Sequence, residues 1–106
     1  LTAEIPGTFD LVLVKGVLIH QDPISLPAVY EKVGRLASRY VLFIEYYNPT
    51  PVEVDYRGHS GKLFKRDFAG EFLQANEDFS LTDYGFRYRR DPSQPLDDLT
   101  WFLMER

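Results

Sequence analysis

Tyr40-Val41-Leu42-Phe43-Ile44-Glu45-Tyr46-Tyr47-Asn48-Pro49-Thr50-Pro51 decides how this chain is read. It begins as a short apolar run rich in β-branched and aromatic residues. Such a run predicts a strand, Tyr40 to Tyr47, buried on both faces, as in parallel sheets covered by helices. Proline cannot donate to a ladder, so Pro49 and Pro51 stop the strand. Glu45, Tyr46, Tyr47 and Asn48 therefore stand at or just past its carboxyl end. Open α/β sheets bind ligands outside the carboxyl ends of their strands.

Upstream, Phe9-Asp10-Leu11-Val12-Leu13-Val14 repeats the buried-strand pattern and ends in Lys15-Gly16. Glycine at that edge allows a sharp bend or close approach of a ligand. Between the two strands, Ser25 reads as a helix N-cap. Leu26, Val29, Tyr30, Val33, Leu36 and Ala37 follow at helical spacing. Strand, helix, strand is a βαβ unit, so its two strands should be parallel. Downstream, Val52 to Lys62 is short and polar and reads as an irregular loop. Leu63, Phe64, Phe68, Phe72 and Leu73 predict a second amphipathic helix, Leu63 to Gln74, weakened by Gly70. Leu81 to Arg89 alternates apolar and polar residues as a strand does. Asp91 to Asp98 is a loop of turn formers, and Leu99 to Arg106 is a final strand. With no helix between them, these last two strands run in opposite directions.

Composition narrows the function classes. The 106 residues, 44% apolar and 26% charged, suit one globular domain. A net charge of −4 leaves no global electrostatic footprint for nucleic acid. No apolar run approaches the roughly 20 residues of a membrane helix. No signal peptide is visible, and a cytoplasmic location is expected. Cysteine is absent, and two histidines weigh against a zinc site; no metal is expected. The first residue is Leu1 rather than Met, so the chain reads as a processed product or a piece of something longer.

The order β-α-β-loop-α-β-β, with these residues, resembles the C-terminal half of a class I S-adenosylmethionine-dependent methyltransferase. The more specific resemblance is to the methylases associated with pseudaminic acid biosynthesis, found in nonulosonic-acid gene clusters for surface glycans. It is carried by Ile44-Glu45-Tyr46-Tyr47-Asn48-Pro49-Thr50-Pro51-Val52-Glu53, Tyr56-Arg57-Gly58-His59, Lys62 to Glu71, Asp83-Tyr84-Gly85-Phe86 and Asp97-Asp98-Leu99-Thr100-Trp101-Phe102. The resemblance implies an α/β Rossmann-like fold, a mixed sheet holding strands 4-5-7-6 of the full fold, with a final antiparallel strand. It implies one partial domain over 1–106 and an absent N-terminal cofactor-binding half, since no glycine-rich strand-to-helix loop is present. It also implies S-adenosylmethionine as cofactor in the complete domain and a sugar or nucleotide sugar as methyl acceptor. The isolated chain would then be inactive.

Candidate residues follow. Lys15, Gly16, Val17 and His20 sit where the resemblance places the cofactor's methionine and sulfonium side; a strand-end lysine in solvent and a turn-capping histidine is the plainer alternative. Histidine's ordinary pKa makes His20 a possible general base. Glu45 and Tyr47 join it as catalytic candidates, and Tyr46 and Asn48 as acceptor-orienting ones, against a packed tyrosine and an Asn-Pro turn. Arg57 to Lys62 with Lys65 and Arg66 form a local basic cluster that suits an anion, or else a solvated loop neutralised by Asp55 and Asp67; Tyr56, Arg57, His59, Lys65 and Arg66 are its substrate-binding candidates. That cluster supports a second reading, a non-catalytic module for an anionic sugar or nucleotide. A third reading is structural: an exposed edge at Phe9 to Val14 could pair with a second copy. Tyr84, Phe86, Trp101 and Phe102 read as sheet core rather than as a stacking platform.

Overall fold

The computed structural model describes residues 7–56, 59–87, 90 and 99–106. Strand β1 (Phe9–Lys15) leads through a 3-10 turn, Leu18–His20, and a second, Pro23–Ser25, into helix α1 (Leu26–Leu36). Strand β2 (Ala37–Glu45) follows α1 without a loop. Strands β3 (Val52–Tyr56) and β4 (His59–Lys65), helix α2 (Phe68–Ala75), and strands β5 (Ser80–Arg87) and β6 (Leu99–Glu105) complete the order.

The main sheet has four strands in the order β1-β2-β6-β5. β1 and β2 are parallel, with Leu13 beside Leu42 and Lys15 beside Ile44. β6 lies between β2 and β5 and is antiparallel to both. This is the mixed sheet expected of the chain, with its last strand inserted rather than added at the edge.

Registers assign the two sheet faces. Val12 and Val14 lie level with Val41 and Phe43, which lie level with Met104 and Phe102. Helices α1 and α2 both pack on this face. Val29, Tyr30 and Val33 of α1 and Phe68, Ala69 and Phe72 of α2 form one buried cluster with Val14, Val41, Phe43 and Met104. Phe72 is its hub: its ring meets Phe43 at 5.3 Å, Phe79 at 5.2 Å and Tyr30 at 6.4 Å, each edge to face. Such pairs add roughly 0.5–1.5 kcal/mol each beyond area burial.

The opposite face differs from the expected strand buried on both sides. On β1, Leu11 is 50% and Leu13 56% exposed. On β2, Tyr40, Leu42 and Ile44 are half-buried. The reason is that both helices take the same face. Toward β5 this second face is partly closed by Trp101, whose indole lies where a side chain on Gly85 would stand. Among the described strands, β1 has β2 as its one neighbour, so its other edge is open.

Three local expectations change. The Val52–Lys62 stretch is not an irregular loop: it supplies β3 and most of β4, an antiparallel pair with Val52 opposite Lys65 and Val54 opposite Leu63. That pairing takes Leu63 and Phe64 out of the second helix, which starts at Phe68 instead. Asp67 caps it, its Oδ1 accepting from the Gly70 N–H at 3.0 Å. The Asp67 carboxylate also occupies the space of a Cβ on Gly70, which accounts for glycine there. Ser25 makes no cap bond and is already helical in conformation. Asp22 caps the preceding turn instead, accepting from the Ile24 N–H at 3.1 Å. Of the expected strand Leu81 to Arg89, the last two residues lie outside the described residues, as does the loop Asp91 to Asp98.

The two helices approach closely where Gly34 of α1 meets Asn76. The Asn76 amide donates to the carbonyls of Tyr30 (3.1 Å) and Phe72 (3.2 Å). A Cβ on Gly34 would overlap that carboxamide. In an exposed helix, glycine to alanine gains about 1 kcal/mol. Here Gly34→Ala is expected to destabilise by about 1–3 kcal/mol, because Asn76 cannot move without losing both bonds. Urea unfolding checks this; a variant more stable than the parent would contradict the packing described.

Candidate functional site

β1 and β2 end together at one sheet edge, and the turn after β1 is bent back over the end of β2. Gly16 makes the bend. Its φ is +64°, a conformation that L side chains adopt at a cost, and its N–H donates to the Ile44 carbonyl at 3.1 Å. Leu18 and Ile19 then turn into the core, while Lys15 and His20 stay exposed.

Glu45 holds this turn. It ends β2 and is only 4% exposed. Its Oε2 accepts from the N–H groups of Val17 (3.1 Å) and Leu18 (3.3 Å), and its Oε1 from that of Ile19 (3.4 Å). One carboxylate thus serves three amides that have no partner within so short a helical turn. Burial pushes the Glu45 carboxyl up to about 7, against the opposing pull of the three N–H groups and of His20. The structure therefore joins Glu45 to Val17 and the Lys15–His20 turn, residues that the sequence assigned to two separate candidate groups.

The residues after β2 divide between two surroundings. Tyr46 packs against the core, with the Lys65 ammonium 5.3 Å from its ring centre. Tyr47 is exposed and meets Phe102 at 5.9 Å. The Asn48 amide donates to the Thr50 carbonyl and hydroxyl, closing the turn into β3.

Of the basic cluster, the side chains of Lys65 and Arg66 are among those described. Arg66 donates from Nε to Glu71 at 2.7 Å, and Tyr30 donates its hydroxyl to the same carboxylate at 2.8 Å. Burial, the bond to Glu71 and that charge all raise the Tyr30 pKa. Arg66 therefore stands in a bridge between α1 and α2. Tyr56 and His59 are opposite one another across the β3–β4 pair. Arg57 lies outside the described residues. No group of three or more potential metal ligands occurs among the described residues. No helix among them is long and apolar enough to cross a membrane.

The sequence reading took Tyr47 for a site residue and Tyr84 and Phe102 for core, and did not bring them together. Tyr47, Tyr84 and Phe102 border a cavity of about 440 Å3 between α2 and strands β5 and β6. Tyr84 and Phe86, read as core, are each 63% exposed. Alternation along Leu81 to Arg87 signals a half-buried strand but not which half is covered.

Glu45 sets a pH dependence of stability. Its carboxyl holds a proton more tightly in the folded chain than at its ordinary value of 4.5. Its contribution is therefore greatest below about pH 4.5 and declines as pH rises to about 7, by on the order of 3 kcal/mol across that window. Glu45→Gln, which cannot titrate, should remove this decline. Denaturant midpoints measured from pH 4 to 8 test it: an unchanged slope in the variant would place the titration elsewhere.

No family model matches the sequence, and no curated protein matches it. Solved structures do. The chain is similar to 1,6-didemethyltoxoflavin-N1-methyltransferase of Burkholderia thailandensis, solved with 1,6-didemethyltoxoflavin and S-adenosylhomocysteine bound: TM-score 0.74, 15% identity, over 99% of this chain and 47% of that one. It is similar to magnesium protoporphyrin IX methyltransferase of Synechocystis PCC 6803 with bound SAH: TM-score 0.67, 17% identity, over 97% and 47%. A SAM-dependent methyltransferase of Leishmania major gives TM-score 0.66 and 17% identity over 97% and 41%. The chain thus spans less than half the length of each of these. At these identities the likeness is one of architecture, and this chain carries part of the fold of the SAM-dependent methyltransferases.

Proposed function

We propose that this chain is the acceptor-side part of an S-adenosylmethionine-dependent methyltransferase that acts on a sugar of nonulosonic acid biosynthesis. The observation that carries the reading is the Glu45-held turn at the shared carboxyl edge of the parallel pair β1–β2. Fold likeness supports methyl transfer in general. The sugar acceptor rests on the sequence segments that resemble the pseudaminic acid methylases.

The residues present fit such a cofactor at its methionine end. Around Gly16 nothing lies within 4 Å of where a Cβ would stand, so a ligand can come against the backbone there. Exposed Lys15 and His20 flank that space. The open β1 edge and the apolar side chains of Leu11 and Leu13 suit a cover of further sheet and helix, as a cofactor-binding half would supply.

S-adenosylmethionine supplies an electrophilic methyl group. Transfer of that group to an acceptor oxygen or nitrogen would leave S-adenosylhomocysteine and release the acceptor's proton, which a base would have to take. His20 receives the proton in this reading, and the Tyr47 hydroxyl orients the acceptor. Glu45 is a positioning residue: both its oxygens are engaged in holding the turn.

Calorimetry tests the proposal, using this chain and a form extended upstream, with S-adenosylhomocysteine as competitor. The extended form should bind S-adenosylmethionine, and this chain should bind it at least 100-fold more weakly. Absence of binding by both forms would overturn the methyltransferase reading.

A further inference from the structure

The cavity between α2 and strands β5 and β6 has a chemistry of its own. One wall is aromatic. Tyr84 stacks near-parallel on Phe102, their planes 22° apart and centres 6.2 Å apart, and Tyr47 tilts against Phe102 at 48°. The helix wall is Ala69, Gly70 and Leu73, with the Asp67 carboxylate beside Gly70. About 440 Å3 is within the range of small-molecule sites. Among the described residues that line it, Asp67 is the one charged group, and no lysine, arginine or histidine is present.

Each feature selects against a class of ligand. An anion would meet Asp67 with no cation among the described lining residues to offset it. A flexible alkyl chain would gain nothing specific from stacked rings. A flat ring can lie against Tyr84 or Phe102 in the offset or edge-on arrangements that aromatic pairs favour. Asp67 uses Oδ1 to cap α2. A carboxylate has acceptor capacity beyond one such bond, so it can also take an N–H from a ligand.

We infer that this cavity is a binding site for a flat, uncharged heteroaromatic ring with an N–H donor on its edge, as a nucleobase has. The ring's face lies against Tyr84 and Phe102, and its donor points to Asp67. This inference does not rest on methyl transfer. Two sources of such a ring are distinguishable by experiment: the base of a nucleotide, or an unlinked heteroaromatic compound.

The test is calorimetric titration of the intact chain and of its upstream-extended form with cytidine, indole and glucose as probes. Cytidine or indole should bind at least tenfold more tightly than glucose. Preference for cytidine identifies the base of a nucleotide, and preference for indole identifies an unlinked ring. Phe102→Leu should weaken binding of the preferred ring at least tenfold. Asp67→Asn keeps an N-cap acceptor, so the helix stays capped, yet it should weaken cytidine binding at least threefold. Thermal unfolding shows whether each variant is folded, and Tyr84→Leu, at an exposed site, repeats the aromatic test should Phe102→Leu unfold. Equal binding of glucose and the rings, binding of neither, or ring binding indifferent to Tyr84, Phe102 and Asp67 would each overturn the inference. Ring binding by an extended form that binds no S-adenosylmethionine would leave this inference standing and remove only the methyltransferase reading.

Discussion

A buried carboxylate at the end of a strand is the constraint on which the candidate edge of this molecule depends. Glu45 sits in the core, where an ionised group is costly unless its lone pairs are satisfied. It is satisfied by three amides of one turn, Val17 to Ile19. The exchange works in both directions. The N–H groups of Val17, Leu18 and Ile19 come too early in the turn to be bonded within it, and they fill the acceptors of the buried carboxylate. Gly16 completes the arrangement by taking the left-handed conformation that returns the chain to β2. Leu18 and Ile19 are thereby driven inward and Lys15 and His20 left outward.

From that edge the packing is one-sided. Both helices lie on the face of Val41 and Phe43, and Phe72 gathers the rings of Tyr30, Phe43 and Phe79 about itself. The C-terminal Arg106 ties the far end: its guanidinium bonds the carbonyls of Gly34 and Ala37 and the Asp78 carboxylate, and lies 4.6 Å from the Phe79 ring centre. The other face keeps leucines at its surface. The sheet is dense on one side and, among the described residues, apolar and exposed on the other.

Helix α2 is short, eight residues, and its brevity shapes the second half of the sheet. It covers β2, while Tyr84 and Phe86 of β5 stay exposed among the described residues. Asp67 both caps that helix and faces the resulting cavity. One residue therefore links the helix start to the chemistry beside it. Gly70 is part of the same arrangement, because the capping carboxylate fills its side-chain space.

Periodicity along the sequence determined much of the architecture. The apolar runs at Phe9–Val14 and Tyr40–Ile44, the helical spacing from Leu26 to Leu36 and the alternation after Leu81 each express a local repeat, and each became the element expected, while Ala37 went to β2 rather than the helix. Patterns of this kind are local because a strand repeats every two residues and a helix every 3.6. What the tertiary structure alone decided involves partners distant in sequence. The β3–β4 pairing depends on cross-strand register, which the short polar run Val52–Lys62 does not advertise. The role of Glu45 depends on amides 26 to 28 residues earlier. Which leucines are covered depends on both helices choosing one face, and whether Tyr84 and Phe102 form core or cavity wall depends on where α2 stops. A residue's type limits the interactions it can make, but only the packed chain determines which partner comes within reach and which side water keeps.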